Sequence, residues 1–239
     1  MELKSEKKLP ETDDERIDIL RITLEQEETN KSWEKILSIV ELHDLRSFLT
    51  TYEGVDTIFN QAIADRNKAK NLYDELFKNV QLYVSHFIQV LFLTVIRNEI
   101  KPEYLTLYGF QENSSRLPLP RLLTEEAVLT WAEKLMRGES ERTYRGGTSL
   151  YNPTIAKVKV HYELFKEAIY SLSIYEKNLA RLQSNMAELR KKADAYIWNI
   201  WTRVEERYSR TLPEEQALRF KAYKIPSQHR NGQQLNVFD

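Results

Sequence analysis

Apolar residues recur along this chain in alternating steps of three and four. The first series runs Leu45, Phe48, Tyr52, Val55, Phe59, Ala62, Arg66, Ala69, Tyr73, Leu76, Val80, Tyr83, Phe87 and Val90, with Arg66 its one polar member. A second runs Val158, His161, Phe165, Ala168, Leu172, Tyr175, Leu179, Leu182, Met186, Leu189, Ala193 and Tyr196, with His161 the exception. A 3.5-residue period puts one stripe along a helix face and favours left-handed helix packing. Ile197, Ile200, Trp201 and Val204 widen the buried arc of the second series at its downstream end. The pattern predicts an all-α fold built on two long antiparallel, heptad-patterned helices. The two series superpose at an offset of 106, Phe59 to Ile63 over Phe165 to Ile169. Any two heptad helices can be slid into phase, so a duplicated origin stays open.

Each stretch covers about fifty residues, which as one straight helix would run ~75–80 Å. A compact globule of this length has a diameter of only about 45 Å. Two architectures follow: an elongated hairpin of two long helices, or a four-helix bundle in which each stretch bends back on itself. No proline interrupts either stretch and Gly54 lies off the stripe, which favours long helices.

Shorter elements surround them. Residues 1–30 read as an acidic N-terminal arm. Thr12 and Glu15 there have the spacing of a capping box, but Ile17, Ile19, Ile22 and Leu24 fit neither the helix nor the strand period cleanly. Trp33, Ile36, Leu37 and Val40 predict a short helix ending near His43. Residues 31–212 read as one helical domain whose connector, 100–152, holds three of the seven prolines and four of the six glycines. Thr124-Glu-Glu126 opens a helix within it, with Val128, Trp131, Ala132, Leu135 and Met136 on its apolar face and its end before Gly138. Asn152-Pro153 reads as N-cap and first residue of the second long helix. Thr211-Leu-Pro-Glu214 opens a short helix to about Tyr223, and 213–239 is read as that helix and a polar tail.

Composition narrows the chemistry. The 239 residues include six glycines and no cysteine, which disfavours β-rich folds and removes disulfides, thiolate nucleophiles and cysteine metal sites. The 35 basic and 36 acidic side chains nearly cancel, against non-specific nucleic-acid binding by the whole chain. They are unevenly spread: residues 1–30 hold five basic and ten acidic groups, residues 181–230 eleven and six. Two separately solvated surfaces are the expected arrangement, with the acidic arm folded back on the basic end as the alternative. The start of the chain lacks the apolar core of a signal peptide. Tyr83 to Ile96 falls short of a membrane span, so a buried helix, no membrane partner and a cytoplasmic location are expected.

Ile100-Lys-Pro-Glu-Tyr-Leu-Thr-Leu-Tyr-Gly109, Trp131-Ala-Glu-Lys-Leu135 and Gly146-Gly-Thr-Ser-Leu-Tyr-Asn-Pro-Thr-Ile-Ala-Lys-Val-Lys-Val160 resemble a group of uncharacterised bacterial all-helical proteins. In that group a Leu-Tyr-Gly turn and a Gly-Gly-x-x-x-x-Asn-Pro turn bracket a short tryptophan-bearing helix between two long ones. The resemblance spans about residues 33–210 and implies an architecture but no activity.

No catalytic motif is present, and no cofactor is expected. His86 has no ligand-type residue at metal spacing, and Glu-x-x-His pairs are absent at all four histidines; His86 reads as half-buried and hydrogen-bonded. Arg66 and His161, the lone polar seam residues, read as register-setting positions, with an anion site between helices as the weaker alternative. An acidic residue of the second long helix, Glu188 being one option, is expected beside Arg66. Trp198, Arg203 and Arg207 lie in an aromatic and basic cluster with Tyr196, Trp201, Tyr208 and Arg210 that suits nucleic-acid stacking and phosphate contacts. The expected function is that of a non-enzymatic structural or protein-interaction protein acting through helical surfaces. It would bind a protein partner or self-associate; a nucleic-acid-binding module is the alternative, and an enzyme of unrecognised type is less favoured.

Overall fold

The computed structural model describes residues 8–111 and 119–226. The first seven residues of the N-terminal arm and the polar tail from 227 onward lie outside the described residues. All regular structure among the described residues is helical: α1 (Asp13–Thr29), α2 (Ile39–Ile96), a 3₁₀ helix (Pro102–Tyr108), α3 (Glu125–Tyr144), α4 (Ile155–Tyr208) and α5 (Pro213–Ala222). Both long helices are uninterrupted, so neither heptad stretch folds into its own hairpin. The chain forms two compact units, Met1–Gln61 with Ala180–Asp239, and Ala62–Leu179. Segments of α2 and α4 contribute to each.

In the first unit the N-terminal part of α2 and the C-terminal part of α4 run antiparallel. Glu41 meets Arg203 at 2.7 Å and the rings of Phe48 and Tyr196 lie 5.0 Å apart. Leu45, Tyr52, Met186, Ile197, Trp201 and Val204 are buried, as the seam pattern requires, and so is Leu49 beside the seam. Gly54 is exposed in α2, and a Cβ there would meet nothing within 4 Å. Gly54→Ala removes an entropic cost without a clash and should raise the unfolding free energy by about 0.5–1 kcal/mol, read by urea denaturation.

The acidic arm is a helix. Thr12 and Glu15 form the capping box their spacing suggested, and Ile17, Leu20 and Leu24 are buried. Ion pairs tie α1 and the loop after it to the basic C-terminal part: Arg16–Asp194 at 2.8 Å, Asp13–Arg190 at 2.6 Å, Glu34–Arg219 at 3.2 Å, and Asp18 with Lys224. The expectation of two separately solvated surfaces is overturned. Opposite charge and a buried apolar stripe together dock the arm.

The hydrogen bonds from Arg190 and from the Tyr52 hydroxyl, at 2.7 Å, stabilise the Asp13 carboxylate. Against the opposing effect of burial, they hold it below the ordinary aspartate range. A depressed folded-state pKa stabilises above the unfolded value and is lost as pH falls through the folded one. The Asp13 contribution to α1 docking is therefore complete above about pH 4, near the unperturbed aspartate value, and fades below it. Protection factors of α1 amides, taken relative to intrinsic exchange at each pH, should fall on acidification from pH 5 to pH 3, and Asp13→Asn should remove that part of the pH dependence.

Residues 31–38 correct another expectation. They are not a helix, and Trp33 and Val40 are exposed. Ser38 ends the strap by capping α2: its backbone N–H donates to Glu41 Oε2 at 2.8 Å and its Oγ accepts from Glu41 N at 3.3 Å. The strap's own amides are taken by Glu27, whose buried carboxylate accepts from Ile36 N and Leu37 N at 3.0 Å. A satisfied local alternative to helical bonding outweighs the apolar spacing.

In the second unit a core of Val80, Val84, Phe87, Ile88 and Leu91 from α2 packs with Leu105 and Tyr108, with Val128, Ala132 and Leu135 from α3, and with Val158 and Phe165 from α4. α2 and α4 again run antiparallel, with Tyr73 and Phe165 at 5.3 Å and Tyr83 stacked on His161 at 3.9 Å. By length and composition α2 is apolar enough to cross a membrane, contrary to the shorter reading of Tyr83 to Ile96, and 39% of its most apolar window is buried inside the protein. α3 does not stop before Gly138 but continues to Tyr144. α4 begins at Ile155, with Thr154 Oγ1 accepting from Lys157 N at 3.4 Å, and Asn152 joins Pro153 through a cis peptide bond rather than serving as the cap. α5 has Leu212 rather than Thr211 at its N-cap, with Pro213 in the first turn.

Candidate functional site

The residues singled out by the seam pattern do not converge. Arg66 reaches α4, as expected, but its partner is Glu176 at 3.6 Å; Glu188 instead pairs with Lys191 at 2.8 Å. Antiparallel pairing at the Tyr73–Phe165 level places Glu176, not Glu188, opposite Arg66. Both partners are partly solvated, so Arg66→Ala should cost less than about 1 kcal/mol in denaturant unfolding. His161 lies at the other end of this seam segment, on the ring of Tyr83. Its Nδ1 is buried without a hydrogen-bond partner among the described residues, and burial pushes its pKa down. Arg66 is matched by a carboxylate and His161 leans neutral, an arrangement that opposes an anion site. His86 is exposed rather than half-buried, because it falls on the solvent side between Val84 and Phe87.

The aromatic and basic cluster also resolves into separate roles within the first unit. Trp201 is buried and its Nε1–H donates to Tyr223 O at 3.1 Å. Trp198 is 45% exposed. Arg203 binds Glu41, which that contact and the Ser38 cap hold down at about 2. Arg207 donates to Lys35 O at 3.1 Å and to Trp33 O. Two of the guanidinium groups a nucleic-acid reading needs are therefore engaged inside the fold.

A stronger polar cluster lies outside the residues that the seam pattern singles out. Glu139 and Arg142 are 1% and 3% exposed on α3, and form an ion pair at 2.9 Å. Tyr108, from the Leu-Tyr-Gly turn, donates its hydroxyl proton to Glu139 and accepts from Arg142 Nε at 2.8 Å. Arg142 also donates to Thr148 O at 2.7 Å, and Glu139 Oε1 accepts from Leu150 N at 2.9 Å. Burial and the neighbouring carboxylate push the Tyr108 pKa up; burial opposes the Arg142 charge, but Tyr108 and Glu139 outweigh it and raise its pKa. The ionised pair and the protonated phenol thus form one closed network.

The glycines around it are matched to it. A Cβ on Gly138 would sit 2.6 Å from the Tyr108 ring and 2.9 Å from Leu107 O, so α3 can pass the Leu-Tyr-Gly turn only with glycine there. Gly109 takes φ +83°, the left-handed region, and Gly146 takes φ +90°. A Cβ on Gly147 would lie 2.7 Å from an Arg142 Nη. Both turn motifs close on this one ion pair.

No family model, curated protein or solved structure matches this chain.

The second unit also contains an open groove between α2 and α4. It encloses about 530 Å³ and is lined on α2 by Asp65, Lys68, Ala69, Leu72 and Leu76, and on α4 by Leu164, Glu167, Ala168, Ser171 and Tyr175. Its lining follows from how the two helices turn their heptad columns. Tyr73, Val80 and Phe87 of α2 and Val158, Phe165 and Leu172 of α4 form the columns that turn toward the packed side, and all but Tyr73 are buried. The alternate columns continue through Ala69 and Leu76 on α2, and through Ala168 and Tyr175 on α4, and these line the groove. Leu72 and Leu164, on its walls, are 52% and 42% exposed. Among the described residues no group of three or more histidine, aspartate or glutamate side chains is placed to hold a metal ion.

Proposed function

We propose that this protein is a non-enzymatic interaction protein whose working surface is the α2–α4 groove of the second unit. The observation that carries this reading is a groove between two adjacent antiparallel helices in which Leu72, Leu164 and Tyr175 stay 52%, 42% and 40% exposed. A 3.5-residue column is the complement of another helix, which enters it by knobs-into-holes packing. Six of the ten lining residues are aliphatic or aromatic, and Asp65, Lys68, Glu167 and Ser171 are the polar ones, a mixture that suits the apolar face of an amphipathic helix. The buried polar networks support the same reading from the other side, since their donors and acceptors are spent on holding loops. The engagement of Arg203 and Arg207 by Glu41 and by the 31–38 strap weighs against the nucleic-acid reading.

Gel filtration of unfractionated extract from the producing cell tests the proposal. The chain should elute well above the 28.4 kDa of one copy, and a Leu72→Glu, Leu164→Glu variant should elute earlier in none of its fractions than a single chain. Elution of both proteins at the same size contradicts it.

A further inference from the structure

The geometry points to an acid-sensitive joint in the α2–α4 seam of the second unit: the Tyr83–His161 contact, which parts when the imidazole takes up its second proton. The two rings stack with centroids 3.9 Å apart and planes 17° from parallel. His161 Nδ1 is buried and has no hydrogen-bond partner among the described residues. A neutral imidazole tolerates this, because one nitrogen carries the proton and the other stays a bare acceptor. The imidazolium carries an N–H on both nitrogens, and at Nδ1 that donor would face no acceptor. Admitting water between the helices relieves the buried, unmatched charge.

The groups around the ring leave that charge unmatched. On α4, Lys157 and Glu163 are exposed. From α3, Glu133 is taken up by the Tyr162 hydroxyl. On α2, His86 is exposed, and Tyr83 offers only its ring face. That face attracts a cation, but the rings are close to parallel, so an in-plane N–H runs along it rather than into it. Burial therefore moves the His161 pKa downward from the ordinary 6.5. Arg66, the permanently charged member of the seam, has Glu176 at 3.6 Å; the titratable member has no such partner. Leu164, one turn along α4, lines the groove, so the joint borders the groove whatever occupies it.

A base whose folded-state pKa is depressed stabilises the fold fully above its unfolded value and less as pH falls below that value. For one group with an unfolded value of about 6.5, lowering the pH from 7.5 to 5.5 favours the open joint by at most about tenfold. Hydrogen exchange of the purified full chain, resolved to peptides covering 76–90 and 155–168, reads this. Protection factors there, taken relative to intrinsic exchange at each pH, should fall several-fold, to a limit of about tenfold. The interval lies above the range in which the Asp13 pairs are lost. His161→Phe keeps a ring against Tyr83 but takes up no proton, and should abolish the fall; His86→Gln should leave it in place. Nitrogen-15 NMR of the wild-type imidazoles reads the joint without a variant, and His161 should titrate below 6.5. Equal wild-type protection at the two pH values, a fall that persists in His161→Phe, or a His161 midpoint at or above 6.5 overturns the inference.

Discussion

Glu139→Leu should lower the unfolding free energy of the second unit by about 3–5 kcal/mol, the range for removing one partner of a buried ion pair. The carboxylate is 1% exposed and receives the Arg142 guanidinium, the Tyr108 hydroxyl and the Leu150 amide. Leucine fills similar space but leaves a cation, a phenol and a backbone N–H without their acceptor. Arg142 cannot shed its charge by losing a proton, so the desolvation penalty stays in the folded state. The double variant Glu139→Leu, Arg142→Met removes the stranded cation and should recover more than half of the loss, since an apolar replacement of a whole buried pair is often neutral. Urea unfolding followed by hydrogen exchange of amides 105–150 reads both effects. A single-variant loss below about 1 kcal/mol, the scale of an exposed pair, would show that the network does not hold the connector.

Glu27→Leu should produce the second largest loss, about 2–4 kcal/mol, from several charge-assisted hydrogen bonds abandoned at once. Glu27 is fully buried in α1 and accepts from the Ile36 and Leu37 amides and from the Tyr223 hydroxyl at 2.7 Å. Tyr223 is itself 1% exposed, and its backbone carbonyl holds the Trp201 indole. One carboxylate thus joins α1, the 31–38 strap, the end of α5 and the core of the first unit. Glu27→Gln keeps an acceptor of the same shape and should cost less than half as much; Tyr223→Phe removes one donor and should cost about 1 kcal/mol, the typical value for a hydrogen bond. Equilibrium denaturation measures the ranking. Equal losses for Glu27→Leu and Tyr223→Phe would mean that the strap amides find water and that Glu27 does not organise the strap.

These two carboxylates mark what was hidden in the sequence and why. The long helices were legible because their heptads are continuous and free of proline, and the Thr12 and Thr124 caps because a hydroxyl at the right spacing suffices. Arg66 and His161 stood out as lone polar residues on apolar stripes. The same signal was present elsewhere: Val128, Ala132, Leu135, Glu139 and Arg142 continue one stripe in steps of four and three, and Glu27 continues the stripe of Ile17, Leu20 and Leu24. Sequence alone does not separate it from a surface pair, because two charged residues three apart in a helix also suit a solvated face. Gly138 misled in the same way. It looks like a helix stop, and it is glycine because Tyr108 presses against α3 there.

The strap and the groove were illegible for different reasons. Trp33, Ile36, Leu37 and Val40 keep helical spacing, but the competing bonds to Glu27 and Arg207 come from residues whose meeting depends on tertiary structure; the Ser38–Glu41 cap is local and has capping-box spacing. The groove could not be read because a seam pattern does not say which of its two columns is covered. Only the antiparallel register, fixed by Tyr73–Phe165 and Tyr83–His161, brings Ala69, Leu76, Ala168 and Tyr175 together as groove-lining residues.

Whether the protein works through this groove is decided most directly by photo-cross-linking in the producing cell, with a benzophenone side chain at Leu72 in one variant and at Leu82 in another. Position 72 lines the groove wall and position 82 is exposed outside it. A discrete adduct at position 72, absent at position 82 and lost when Leu164→Glu is added, is the predicted result. Equal yields at the two positions, or an adduct at position 72 that survives Leu164→Glu, would contradict it.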